Sequence, residues 1–460
     1  MLRALLLSLL FGSSPAMPAF SFEFFHGVDG TPSIIAEATT ADPVVVVLWV
    51  RNDVTRADER WITGEIERGL ALWEDVPTSH IRFETTVIRS AVQPPIEAEQ
   101  LLVVVANGAD LESGGASPPS AGRPGTWHGA AADFPVASRD RFRLVAAHEI
   151  GHAVGIHHTS VGRNHFADAE IPIMHWSSQG SSGITADDAA AISVAYPDPG
   201  LSIESVSGTI RGRSINHATL LPIDGVNVVA VDAETGAPAV GRLSGATGEA
   251  GAFEIVGLGP GRYEFLFLDG NSFAGRSVGL ASSRIQADNF EAFAIDGLSI
   301  ESGEVVDLSN VLIPIETISV DAVRDHRKPT PSSPPRVEVG LPDGDLGRAY
   351  ETFLHLHGGV RPLTLIAASG LPRGLRISLG SKRTLNAETH GHAYLRLAGD
   401  LVEPGSFEAE VTLADAHGIE STLKLALRVA NPWAAPGGDS DADRACNHRM
   451  GGMRRGFDVR

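Results

Sequence analysis

Residues 143–176 constrain this chain more than any other stretch: they begin RLVAAHEIGHAVGIHH and end IPIMHW. His148 and His152 are four positions apart, so on one helix they share a face, one turn above the other. Two imidazoles so placed can hold one Zn²⁺ at about 2.0–2.1 Å each. Glu149 stands beside the first histidine, where it reaches a water at the metal without taking a coordination position. Gly155 can leave the helix with positive φ and turn the chain back, so that His158 arrives as a third ligand. Three protein ligands leave a fourth position open, the arrangement of a catalytic rather than a structural zinc. Zinc lowers the pKa of water from about 15.7 to roughly 7 and polarises a carbonyl. Glu149 is then placed as the general base that passes a proton to a leaving amine. The expected reaction is hydrolysis of a peptide bond.

His148, Glu149, His152, Gly155 and His158 match the pattern HExxHxxGxxH at all five fixed positions, and on them the stretch resembles the metzincin metalloproteases. The resemblance implies a Met-turn beneath the zinc. Met174 in IPIMHW is similar to that residue, which supports the metal site without binding the ion. The segment ITADDAAAISVAYP resembles the last catalytic-domain helix of the matrixin branch (peptidase M10 type). There Thr185 and Asp188 form a T-x-x-D capping box, and Ile192 and Tyr196 give one apolar face. Astacins carry Glu after the third histidine and a Tyr two residues beyond the methionine. Thr159 and Trp176 occupy those positions here, so the resemblance is to matrixins. Matrixins usually hold a second, structural zinc upstream, but Trp127-His128-Gly129 supplies a single histidine, so one zinc is expected. His157 is out of the motif's register, and His165 and His175 are expected to face solvent or support the ligands. Asp168, Glu170 and Asp187 are read as solvated surface carboxylates, which leaves a calcium requirement unsupported.

The catalytic domain is expected over residues 43–199 as a twisted mixed α+β sheet with a zinc helix, the metzincin architecture that the resemblance implies. VVVVLWV from Val44 is a β-branched run suited to a buried strand. Ile62, Ile66, Leu70 and Trp73 recur at helical spacing, although Gly64 and Gly69 weaken that helix. IRFETTV from Ile81 alternates as a half-buried strand, and LLVVV from Leu101 reads as a buried one. Residues 107–135 are rich in Gly, Ser, Pro and Ala. By resemblance they contain, near 126–131, an edge strand that pairs with substrate backbone. Ser138 and Asp140 suit the start of the zinc helix. WSSQGSSGI after the Met-turn implies a mobile wall of the S1′ pocket.

Residues 1–19 read as a secretory signal: Arg3, then the apolar run from Ala4 to Phe11, then small residues. That run is too short to span a bilayer, so an exported, extracellular protein with no transmembrane segment is expected. Residues 20–42 form a short N-terminal segment. The single cysteine, Cys446, excludes an intrachain disulfide. Because no cysteine precedes the zinc helix, latency by a propeptide cysteine is not expected either.

Past Pro197-Asp198-Pro199-Gly200 the texture changes to short alternating strands with glycine turns. Residues 200–318, with IDGVNVVAVDAETG and TGEAGAFEIVGLGPGRYEFLFLDG, resemble a carboxypeptidase regulatory-like β-sandwich. Residues 319–335 are a Pro/Ser-rich linker. Residues 336–430 resemble the Ig-like, cadherin-like sandwiches of secreted bacterial proteins, with His355, His357, His390 and His392 expected at exposed strand positions. Residues 431–460 have the composition of a disordered tail. The fold class is thus multidomain: an α+β metzincin domain followed by two all-β sandwich domains.

A net charge of −20 argues against nucleic acid as a partner. The partners expected are protein or peptide substrates, with the β domains engaging a surface or matrix. The reading is a secreted zinc endopeptidase with His148, His152 and His158 as ligands, Glu149 as general base and Met174 in the turn below. The rival is a non-catalytic adhesin or binding protein whose metzincin domain holds zinc without cleaving. The intact Glu149 speaks against it, since binding alone has no chemical need of that carboxylate.

Overall fold

The computed structural model describes residues 34–35, 43–106, 116–118, 125–130, 139–161, 170–175, 181–246, 248–269, 290, 292–320, 338–383 and 390–431. The expected signal segment, most of the linker and tail, and Ser138, His165, Asp168 and Trp176 lie outside the described residues.

The first unit comprises β1 (Val44–Val50), α1 (Arg56–Glu74), β2 (Phe83–Arg89), β3 (Leu101–Ala106), β4 (Ala116–Ser117), β5 (Gly125–Ala130), α2 (Arg139–Ala153) and α3 (Ala186–Ala195). Its sheet has the order β2-β1-β3-β5-β4, with β4 antiparallel and the other pairs parallel. The unbroken apolar runs of β1 and β3 follow from cover on both faces. Val46, Leu48, Val103 and Val105 join the core that also holds the helices, while Val47, Leu102 and Val104 form a separate cluster. β5 is not the edge strand that the sequence led us to expect near 126–131. It is flanked by β3 and β4, and β4 is outermost. Two residues in a Gly/Ser/Pro-rich stretch carry no alternation by which such a strand is read.

Thr55 caps α1 by accepting from the Asp58 amide at 3.1 Å. Ile62, Ile66, Leu70 and Trp73 are buried on one face of that helix. Gly69, a liability on propensity alone, has a packing reason. A Cβ there would stand 3.2 Å from the Arg143 carbonyl oxygen and the Ala147 amide, so its absence lets α2 lie close. Trp73 then reaches α2 and donates its indole N–H to the Ala147 carbonyl at 2.9 Å.

After a short α4 (Ile203–Val206) come β6 (Gly208–Asn216), β7 (Asn227–Asp232), β8 (Pro238–Leu243), β9 (Ala252–Leu258), β10 (Gly261–Leu268), β11 (Phe293–Ile300) and β12 (Val305–Ile313). They make two sheets, β11-β10-β7-β8 and β12-β6-β9. One buried core runs from β1 through Met174 and Tyr196 to Ile210, Phe253 and Phe265, so packing is continuous past residue 200.

The last strands are β13 (Ser319–Val320), β14 (Glu338–Gly340), β15 (Gly344–Asp345), β16 (Ala349–His357), β17 (Thr364–Ser369), β18 (Leu375–Arg383), β19 (His390–Asp400), β20 (Gly405–Ala414) and β21 (Glu420–Ala430). They form the sheets β13-β16-β19-β18 and β14-β21-β20-β17, with β15 beside β21. Leu354, Leu395, Val411 and Leu425 belong to a core of their own between these sheets. His355 and His357 are half-buried on β16 rather than exposed.

Candidate metal centre

α2 presents His148 and His152 one turn apart, with ring centroids 4.6 Å apart. Gly155 follows the helix with φ 103°, a conformation that costs glycine little. Its amide still bonds to the His152 carbonyl, and that of Ile156 to the Gly151 carbonyl, each at 2.9 Å. The chain then doubles back and the Thr159 amide bonds to the Met174 carbonyl at 3.0 Å. His158 is thereby delivered between the helix and the turn that holds Met174. One ligand atom from each of His148, His152 and His158 lies within 4.8 Å of the others. Among the described residues these three form the group with metal-ligand spacing.

The ring orientations are set from behind. His148 Nδ1 lies 2.6 Å from the Ile173 carbonyl oxygen, and His152 Nδ1 lies 2.8 Å from that of Ile156. A carbonyl only accepts, so both rings carry their proton on Nδ1 and leave Nε2 as a lone-pair donor. Burial lowers the His148 pKa to about 4, helped by His158 and His175 and opposed by the Ile173 bond. Burial also holds His152 well below the ordinary histidine value, with His148 and His158 adding to it. Both are therefore neutral at physiological pH, as metal ligation requires. Three converging imidazoles, with the His158 side half-exposed, suit a zinc ion with one open position.

Glu149 is half-buried, and its Oε2 accepts the Ala116 amide of β4 at 3.0 Å. Burial raises its pKa to about 7, with the Ala116 bond opposing. A carboxylate tuned there takes and returns protons near neutrality.

Met174 is 1% exposed and lies in a tight turn closed by the His175 amide on the Pro172 carbonyl at 3.0 Å. A Cβ on Gly151 would collide with Met174 Sδ and the Trp73 ring, so the single glycine of α2 makes room for the methionine. That residue was missed in the sequence, although glycine inside a helix costs about 1 kcal/mol against alanine and so signals close packing. Asp188 accepts the amides of Ile173 at 2.8 Å and Met174 at 3.0 Å, and also that of Thr185 at 2.9 Å. The capping-box carboxylate therefore pins the turn under the site. Tyr196 donates its hydroxyl proton to the Val154 carbonyl at 2.6 Å, just before Gly155, and accepts the Ile35 amide at 3.1 Å.

The remaining candidates separate. His157 is buried, and its Nδ1 accepts the His158 amide at 2.7 Å, outside the ligand group. His175 is buried too. Glu170 is exposed and accepts from Ser182. Asp187 is not a solvated surface carboxylate: it is 3% exposed and accepts the Gly241 amide of β8 at 3.0 Å. The period-2 and period-3.6 patterns of its own helix carry no sign of a strand 54 residues away.

Residues 51–197 match the family model described as Peptidase_M10, Matrixin, which spans about a third of the chain. Together with the histidine triad, the match supports a matrixin-like metalloprotease domain. No curated protein matches this chain. Among solved structures, a candidate alpha-galactosidase/melibiase from Bacteroides fragilis is 21% identical over 21% of this chain, with TM-score 0.15, and the chain spans 16% of its length. The major pilin subunit BcpA of Bacillus cereus is 12% identical over 48% of this chain and 69% of its own, with TM-score 0.18. Mouse clustered protocadherin PcdhgC3 EC1-3 is 12% identical over 48% and 64%, with TM-score 0.19. At these scores the likenesses add nothing to the strand order of this chain. Among the described residues, no helix is long and apolar enough to cross a membrane.

Proposed function

We propose that the chain is a secreted zinc-dependent endopeptidase of matrixin type. In this reading His148, His152 and His158 hold the ion, Glu149 is the general base, and Met174 underlies the site. The observation that carries it is the convergence of His148, His152 and His158, with one ligand atom of each within 4.8 Å of the others, in a segment that matches the matrixin family model. Zinc, when bound there, supplies a Lewis acid for the scissile carbonyl and lowers the pKa of water to about 7.

Glu149 does the proton work. It accepts a proton from the attacking water on Oε1 or Oε2 and releases it to the departing amine. Its partial burial keeps that proton from exchanging freely with solvent. β4 is the outermost strand of its sheet, and its Ala116 amide touches Glu149. A peptide added alongside β4 by β-augmentation would therefore lie over Glu149 and the three histidines. The sheets of β6–β12 and β13–β21 belong in this reading to two β-sandwich modules, which engage a surface or matrix. Residues 1–19 direct export.

The test is cleavage of a broad peptide library by purified protein, with and without a zinc chelator, alongside Glu149→Ala. Chelator-sensitive cutting that falls about 10²–10⁴-fold in Glu149→Ala is expected. Protein that contains one zinc per chain yet cuts nothing would sink the peptidase reading and leave the adhesin.

A further inference from the structure

His148 and His152 sit on a helix packed into the main core, whereas His158 lies on an irregular segment beyond that helix. That segment, residues 158–161, rests on the β6–β12 unit. Asn227 of β7 donates its side-chain N–H to the Ser160 carbonyl at 3.0 Å. Asp187 accepts a hydrogen bond from the Thr159 side chain and, on Oδ1, the Gly241 amide of β8. Val161 packs with Val229, Val231 and Leu268. Val228 and Ala230 of the same strand face the main core, so Val161 covers the opposite face of that sheet. Gly241 marks the closest approach: a Cβ there would stand 2.8 Å from both Ser160 Oγ and Val161 Cγ2.

From these contacts we infer that the β6–β12 unit is part of the metal centre, with Asp187 and Asn227 as positioning residues that hold the third ligand in place. The inference rests on the zinc reading above, although not on peptidase activity. A ligand on a loop binds well only if its support removes the alternative positions, and loss of such support typically costs about 10–100-fold in metal affinity. The last two modules thus differ in kind. β6–β12 completes the site, whereas β13–β21 has a separate core.

The experiment measures zinc affinity by chelator competition in the full chain, for the wild type, Asp187→Ala, Asn227→Ala and Phe253→Leu. Phe253 packs on Phe267 inside the β unit and serves as the control for general destabilisation. The absorption spectrum of the Co²⁺-substituted proteins reads the ligand geometry directly. Asp187→Ala and Asn227→Ala are expected to weaken zinc binding about 10–100-fold and to shift the Co²⁺ bands. Phe253→Leu is expected to lower the unfolding midpoint with affinity unchanged. Unaltered affinity in both brace variants would overturn the inference, as would a loss in Phe253→Leu equal to theirs. If a brace variant fails to fold, Asp187→Asn, which keeps an acceptor for the Gly241 amide, must still bind more weakly than wild type, or the inference falls. A wild type that binds zinc but cleaves nothing would defeat the peptidase reading alone and leave these affinities to decide the brace.

Discussion

Asp188 and Met174, one at the start of α3 and the other in the turn beside the histidine triad, are joined by a hydrogen bond of 3.0 Å from the Met174 amide to Asp188 Oδ1. The adjacent Ile173 amide reaches Oδ2 at 2.8 Å, and the Ile173 carbonyl in turn accepts from His148. One carboxylate therefore governs a helix terminus, the turn and the orientation of a ligand. Asp188→Ala would leave two buried amides without partners, at about 1–3 kcal/mol each. Urea denaturation is expected to show that loss, with weaker zinc binding because Ile173 no longer orients His148.

Gly151 leaves no space for a methyl group between Met174 and Trp73. Gly151→Ala improves helix propensity by about 1 kcal/mol, yet overpacking of a filled core typically costs about 1–3 kcal/mol. The packing cost should win. Thermal denaturation is expected to give a lower midpoint for the variant, and a higher midpoint would show that the Met-turn can shift freely.

The pKa of Asp187 is pushed up to about 7, first by burial and then by Asp188. Between about pH 4 and 7 the folded chain keeps a proton that the unfolded chain has released, so stability attributable to this group falls as pH rises through that window. Below it both states are protonated and the penalty vanishes. Asp187→Asn removes the titration. Measured by urea unfolding of the zinc-free proteins, the variant should gain on the wild type from pH 4.5 to pH 7.5.

Glu149, also raised to about 7, keeps a large fraction of its proton at pH 6.5 in the zinc-free protein. Because His148 and His152 are neutral there, they release nothing when zinc binds. The cation favours the ionised carboxylate, so zinc loading should expel the Glu149 proton. Calorimetric titrations in buffers of different ionisation enthalpy should find that release at pH 6.5, smaller at pH 8, and reduced in Glu149→Gln.

Much of the site was legible because its parts are local. His148 and His152 are related by one helical turn, Gly155 by the need for a left-handed residue, and Thr185 and Asp188 by a capping box. The runs at Val44 and Leu101 and the period of Ile62, Ile66, Leu70 and Trp73 likewise marked the strands and helix that now form the first layer. Misreadings fell where no local period exists. The outer strand is the two-residue β4 instead of β5, and Asp187 is a buried brace where a surface carboxylate was expected.

By itself, then, the sequence singled out the histidine triad, the carboxylate proposed to act beside it and the alternation of helix and strand, since each depends on spacings that backbone geometry fixes within a few residues. Only the tertiary structure decided what holds His158. Beyond the Met174 carbonyl, its segment rests on Asn227, 67 residues from Ser160, and on Asp187, which is bonded to Gly241 54 residues away. Contacts at such separations are chosen by the packing of whole sheets against one another, to which no repeat in the chain corresponds.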